Sequence, residues 1–161
     1  MDRILTVEQM TFCEHEAEKY GVSLAQLMDN AAAQLAEVIA SNSSASSKIV
    51  LLIGKGNNGG DGLVAANLLA EQGLKPAVVL CCGEPYTDLS SAAYARLDKS
   101  VEVLKAENAQ DYIEGADVLV DCIFGTGFHG SLRENILPVF RACEKCDGMK
   151  IACDLPSGVN A

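Results

Sequence analysis

The 161-residue sequence has no cluster of lysine or arginine, and its 12 basic residues face 22 acidic ones for a formal net charge of −10. Nucleic-acid-binding domains carry a basic face, so nucleic acid is not an expected partner. Long apolar runs are missing too. None approaches the roughly 20 residues of a membrane-spanning helix, and the opening MDRILTVEQM lacks the apolar core of a signal peptide. We expect a soluble, cytoplasmic protein with no membrane partner. A disulfide framework is also absent, because the seven cysteines are odd in number and scattered. Cys143 and Cys146 form a C-x-x-C inside a predicted helix, with no second pair to complete a zinc site. The chain shows neither an internal repeat nor a second domain.

What is present is ordinary globular composition, 49% hydrophobic and 21% charged, in a length that suits one domain over residues 1–161. Two helices come first. TVEQMTFCEHEAEKYG starts from a Thr6 cap and stops at Gly21, and SLAQLMDNAAAQLAEVIA starts from a Ser23 cap. The second carries an apolar stripe of Leu24, Leu27, Met28, Ala31, Leu35 and Val38. After the polar linker SNSSASS, strands and helices alternate. Strands are expected at 48–54, 76–82, SVEVL, 117–125 and 150–156, with helices at 62–73, 88–98, AQDYIEGA and 134–145 between them. This order predicts an α/β fold, Rossmann-like and doubly wound, with a mainly parallel sheet, helices on both faces and two N-terminal helices.

Loops at the carboxyl ends of parallel strands converge on one edge. Here they are GKGNNGGDG, CCGEPY, GTGFHGS and DLPSG, three of them rich in glycine and small polar residues. Each alone reads as turn chemistry; together on one edge they predict a ligand site. An acidic chain can bind an anion there through backbone N–H groups, a helix N-terminus or a bound cation.

Gly54, Gly56 and Gly59 satisfy G-x-G-x-x-G after a strand and before a helix, and Glu84 follows the second strand where a dehydrogenase holds its ribose. No Lys-Ser/Thr follows the last glycine, so a Walker A loop is excluded. NNGGDG instead reads as a longer, more polar loop. In it Asn57 and Asn58 offer side-chain amides, and Gly59 and Gly60 let backbone N–H groups approach a phosphate. Asp61 is either a helix N-cap or a partner for a ligand hydroxyl. In the second glycine loop, Thr126 and Ser131 can donate to phosphate, His129 is a candidate acid or base, and Arg133 is a candidate phosphate clamp. Asp121 sits inside an apolar strand, where a carboxylate is costly unless paired or coordinating a cation. With Asp154, Asn58 and Ser157 it makes an oxygen-rich pocket suited to a hard cation. The residues alone reach a nucleotide-binding α/β domain with a cation site.

With NNGGDG, DCIFGTG and DLPSG in that order, and EQM and LMDNAA in the N-terminal helices, the chain closely resembles the NAD(P)H-hydrate epimerase family, the YjeF N-terminal domain. The resemblance covers essentially the whole chain. It implies interconversion of the R and S forms of NADHX and NADPHX, cofactors hydrated at C6 of the nicotinamide ring. It further implies that Asn57, Asn58, Gly59, Gly60, Asp61, Gly125, Thr126, Gly127, Phe128, His129, Gly130, Ser131 and Asp154 contact the substrate. One potassium ion per subunit would be held by Asn58, Asp121 and Ser157. On this reading Asp154 is the catalytic acid/base. The resemblance is compatible with a homodimer, and with a partner or fused ADP/ATP-dependent NAD(P)H-hydrate dehydratase.

Family domains usually run further past DLPSG than this chain does. We therefore expect a truncated or fragment form whose Ser157 loop ends in a free carboxylate with nothing after it to pin it. The alternatives are a non-catalytic nucleotide-binding scaffold of the same fold, a pyridine-nucleotide oxidoreductase, and a generic nucleotide sensor. A scaffold should have lost site residues, and these are present. An oxidoreductase needs a substrate domain that this length does not supply.

Overall fold

The computed structural model of the protein describes residues 5–160. Helix α1, Val7–Lys19, begins at a capping box in which Thr6 Oγ1 accepts from the Gln9 N–H and Gln9 Oε1 accepts from the Thr6 N–H. It buries no residue. Helix α2, Leu24–Ser41, is capped by Ser23, whose Oγ accepts from the Gln26 N–H. Its buried face is Met28, Ala32, Leu35, Ala36 and Ile39. The expected stripe is thus rotated: Ala31 and Val38 are exposed, because α2 turns the smaller Ala32 and Ala36 toward the helix that follows the first strand.

The alternation then runs β1 (Ile49–Ile53), α3 (Asn57–Glu71), β2 (Pro76–Leu80), α4 (Asp88–Ala95), β3 (Glu102–Lys105), α5 (Gln110–Glu114), β4 (Val118–Cys122), α6 (Leu137–Lys145) and β5 (Met149–Ala152). Short 3₁₀ turns at Ala106–Asn108 and Glu134–Ile136 precede α5 and α6. The sheet order is β3-β2-β1-β4-β5, with every neighbouring pair parallel. Strands β1 and β2 are buried at all five positions. They are continuous apolar runs because helices cover both faces.

One core layer lies between β1, β2, β4 and helices α2 and α3, and includes Ala36, Ile39, Leu51, Ile53, Leu63, Leu69, Val78, Val120 and Cys122. The other, under α5 and α6, holds Leu52, Val79, Ile113, Leu119, Ile136 and Val139. The chain order reverses at β1, between β2 and β4, and the crevice at such a switch point is where open α/β sheets bind ligands.

Two glycines let α3 start hard against that crevice. A Cβ on Gly59 would lie 2.2 Å from the Gly54 carbonyl oxygen, and one on Gly54 would lie 1.9 Å from that of Ile123. Both neighbours are backbone, so no side chain can yield.

Candidate functional site

NNGGDG is not a loop. Its residues Asn57 to Asp61 are the first five of α3, with Gly56 at the N-cap and the Gly60 N–H already bonded to the Gly56 carbonyl. The glycines that read as loop chemistry are there for close packing, and helix formation wins once α2 and β1 supply burial. Asp61 is consequently too far into the helix to be an N-cap. No side chain caps α3, so the N–H groups of its first turn stay open toward the carboxyl edge of the sheet, an arrangement suited to an anion.

The side chain of Asn57 is committed elsewhere. Its Oδ1 accepts from Thr87 Oγ1 at 2.7 Å. Thr87 caps α4, and the buried Ser90 donates through Oγ to the Lys55 carbonyl at 3.0 Å. Asn57 Oδ1 therefore fastens the start of α3 to the start of α4. Thr87 and Ser90 escaped the sequence reading, although the capping signature TDLS directly after CCGEPY is a visible signal for them.

Asn58 is the opposite case. Its Oδ1 and Nδ2 are both buried and have no partner among the described residues. Such an amide is costly unless something fills the gap. It lies beside Gly125, since a Cβ there would be 3.5 Å from Asn58 Cβ and Cγ, and 2.6 Å from Asp154 Oδ2. Gly125 is thus the floor on which Asn58 and Asp154 meet. Gly125→Ala should cut turnover at least tenfold while moving the melting temperature only a few degrees, because the added methyl displaces the Asp154 carboxylate rather than a core side chain. Steady-state kinetics beside a thermal melt would check this.

Asp121 and Ser157 are joined directly. Asp121 Oδ1 accepts from Ser157 Oγ at 2.6 Å and from the Ile123 N–H at 3.1 Å, and Oδ2 accepts from the Ser157 N–H at 2.8 Å. Ser157 Oγ in turn accepts from the Phe124 N–H at 2.8 Å. The carboxylate at the end of an apolar strand is satisfied in this way by the loop after β5.

That loop is pinned, contrary to the expectation of a loose Ser157 segment. Besides the Ser157 bonds, Asp154 Oδ2 accepts from the Thr126 N–H at 2.7 Å and Asn160 Oδ1 from the Gly130 N–H at 3.0 Å. Bonds to the loop after β4 hold it; the terminal carboxylate of Ala161 lies outside the described residues. Asn160 was another omission from the sequence reading. Asp154 adopts a left-handed backbone, φ 65°, which Asp and Asn tolerate better than other side-chain-bearing residues.

In the second glycine loop Phe128 stacks on Phe124, with ring centroids 4.8 Å apart. Gly127, His129, Gly130 and Ser131 are exposed, as are Glu84 and Arg133. The exposed His129 has no hydrogen-bonded partner among the described residues, so nothing orients its imidazole. Arg133 and Lys55 lie near the half-buried Cys82, whose thiol is raised by burial and pulled back by these two cations.

Asp61 sits one turn beyond Asn58 and is largely buried. Its carboxyl is pushed up to about 7, first by burial, then by the charges of Asp154 and of Glu14 on α1. Sequence offered no sign of this, because Glu14 and Asp154 lie far from Asp61 along the chain.

Comparison with known proteins gives a consistent picture. Residues 24–161 match the family model described as YjeF-related protein N-terminus. The NAD(P)H-hydrate epimerase of Nitrosopumilus maritimus is 35% identical over 97% of this chain and 75% of its own length. The bifunctional NAD(P)H-hydrate repair enzyme of Hyperthermus butylicus is 34% identical over the whole chain, which spans only 31% of that longer protein. In structure, the chain matches yeast ynu0 (YNL200c) with a TM-score of 0.84 at 25% identity, over 97% of this chain and 71% of the yeast one.

Proposed function

Because the chain belongs to the family of YjeF-related protein N-termini, we propose that it is an NAD(P)H-hydrate epimerase, an isomerase that interconverts the R and S forms of NADHX and NADPHX. The observation that carries the reading is the meeting of Asn58, Gly125 and Asp154 at the carboxyl edge, beside the uncapped start of α3. The substrate diphosphate would lie on the open N–H groups at the start of α3, beside the loop from Gly125 to Ser131, which compensates for the scarcity of basic side chains.

C6 of the hydrated ring carries a hydroxyl and the ring nitrogen, so it is a hemiaminal carbon. A proton delivered to the hydroxyl lets the nitrogen lone pair form the C6–N double bond as the C6–O bond breaks and water leaves. Water then adds to either face of the conjugated iminium and loses a proton, which restores the acid. The net reaction consumes nothing. It needs an acid/base group of fixed position and no hydride acceptor. We assign that group to Asp154, whose Oδ2 is fixed by the Thr126 N–H while Oδ1 takes no hydrogen bond from any described residue.

The residues fit a potassium ion. Among the described residues no cluster of three or more His, Cys, Asp or Glu could hold a metal. Asn58 Oδ1 is buried without a donor and lies beside Gly125 and Asp154, while Asp121 and the Ser157 hydroxyl are bonded to each other; Asn58, Asp121 and Ser157 are the residues that would hold the ion. An amide oxygen, a hydroxyl and a carboxylate make an oxygen donor set that suits a hard cation. When bound, the ion would offset negative charge beside the substrate diphosphate. Potassium should raise the melting temperature more than sodium at equal ionic strength. Asn58→Ala should abolish that difference yet leave the potassium-free melt unchanged or higher, since an unpartnered buried amide is removed.

The activity itself is tested by supplying R-NADHX with an S-specific, ATP-dependent dehydratase and following NADH at 340 nm. Return of NADH faster than spontaneous epimerisation supports the reading; a rate equal to the spontaneous one, with the protein folded and potassium present, overturns it.

A further inference from the structure

Two cysteines that the proposed chemistry does not use face each other across neighbouring strands. Asp121 of β4 pairs with Ala152 of β5 in parallel register, and the ladder continues with the Cys153 N–H bonded to the Asp121 carbonyl at 2.9 Å. Cys122 and Cys153 are therefore the next pair across the sheet. Both side chains belong to the core layer under α2 and α3, so they project from the same face. Cα atoms directly opposite on adjacent strands are about 4.8 Å apart, inside the range of about 4.4 to 6.8 Å that a disulfide spans. Cys122 is wholly buried against Gly62 of α3, while Cys153 is only partly covered. Cys143 and Cys146 are separated by the end of α6, where Cys146 donates through sulfur to the Ala116 carbonyl.

We propose that Cys122 and Cys153 form an intrachain disulfide when the protein meets a peroxide, making the β4–β5 strand ends a modification site. The partly exposed Cys153 sulfur attacks a peroxide oxygen. The O–O bond breaks, leaving a sulfenic acid and, for hydrogen peroxide, one water. Cys122 then attacks the Cys153 sulfur, the S–O bond breaks, and the departing hydroxide takes the Cys122 proton as a second water. Two thiols are oxidised by two electrons and one peroxide is reduced. A bond here acts on the site because Asp121 directly precedes Cys122 and Asp154 directly follows Cys153. Linked Cβ atoms sit about 3.8 Å apart, closer than neighbouring strands hold them, and the two strand ends must draw together.

The test is to treat the intact, folded protein with hydrogen peroxide, block free thiols under denaturing conditions, and digest with trypsin. Cys122 is the sole cysteine between Lys105 and Arg133, and Cys153 the first after Lys150. The expected result is a mass lower by about 2 Da, with peptide 106–133 joined to the peptide that begins at Ile151 and separated again by dithiothreitol. Cys153→Ser should lose the cross-link, and Cys143→Ser should keep it. A cross-link between Cys143 and Cys146 instead, or a Cys122 that remains fully alkylatable while Cys153 is oxidised to sulfinic acid, would overturn the proposal. Because the readout is covalent mass, failure of the epimerase reading would leave this result untouched.

Discussion

Asp154→Asn should fold as the wild type does and lose turnover by about 10² to 10⁴-fold, the usual weight of a positioned acid/base group. The replacement isolates chemistry from structure. Asparagine also tolerates the left-handed backbone found at φ 65°, and its amide oxygen can still accept from the Thr126 N–H that Asp154 Oδ2 now holds at 2.7 Å. What disappears is the second carboxylate oxygen and with it the ability to exchange a proton. Asp154→Ala would be a poorer test, because it removes the hydrogen-bond partner of Thr126 and places alanine in the left-handed region. The measurement is the coupled NADH assay together with a thermal melt and a ligand-binding titration. A normal melt and normal binding with kcat down at least a hundredfold support the assignment. A kcat within a fewfold of wild type moves the proton transfer to another group.

The fold was legible because its signals are local. β1 and β2 are short β-branched apolar runs, the helix caps Thr6 and Ser23 are where helix punctuation places them, and the strand–helix alternation leaves few topologies. The residues gathered at the carboxyl edge were legible for the same reason, since each of Asn58, Asp121, Gly125, Asp154 and Ser157 stands at or just beyond a strand end or at a helix start. Local signals misled where packing overrode them. Glycine-rich NNGGDG has low helix propensity, yet it is helical because Gly59 and Gly54 must pass within contact of backbone, and Gly60 faces Met28 of α2. The stripe of α2 was misjudged by about one position because alanines carry little hydrophobic signal of their own. Partners far apart in sequence were invisible: Thr87 for Asn57, Asn160 for Gly130, and Glu14 and Asp154 for Asp61.

Asp61 gives the second large effect, and its sign follows from linkage. Its carboxyl is raised from an ordinary value near 3.8 to about 7 by burial, then by Asp154, then by Glu14. A carboxyl raised on folding favours the protonated state in the native protein. Below pH 4 it is protonated in both folded and unfolded chains and costs nothing. As pH rises toward 7 the unfolded chain ionises first, so stability falls through that window and stays lower above it. At 1.36 kcal/mol per unit, a rise from 3.8 to about 7 corresponds to up to roughly 4 kcal/mol. Asp61→Asn keeps the shape and removes the ionisation. In potassium-free buffer it should therefore match wild type near pH 4 and exceed it by several degrees in melting temperature at pH 8. An Asn variant no more stable than wild type at pH 8 would mean that Asp61 is solvated or paired in the native state. The groups that face Asp61 explain why such a cost would be kept. Asp154 at the floor of the site is one of the charges that hold its proton on near neutrality, and a neutral carboxyl beside the carboxylate to which we assign the acid/base role is a hydrogen-bond donor that an ordinary aspartate cannot be at pH 7. Stability is given up at the same turn of α3 where Asn58 leaves its buried amide unpartnered, and both costs fall beside the site to which we assign the substrate.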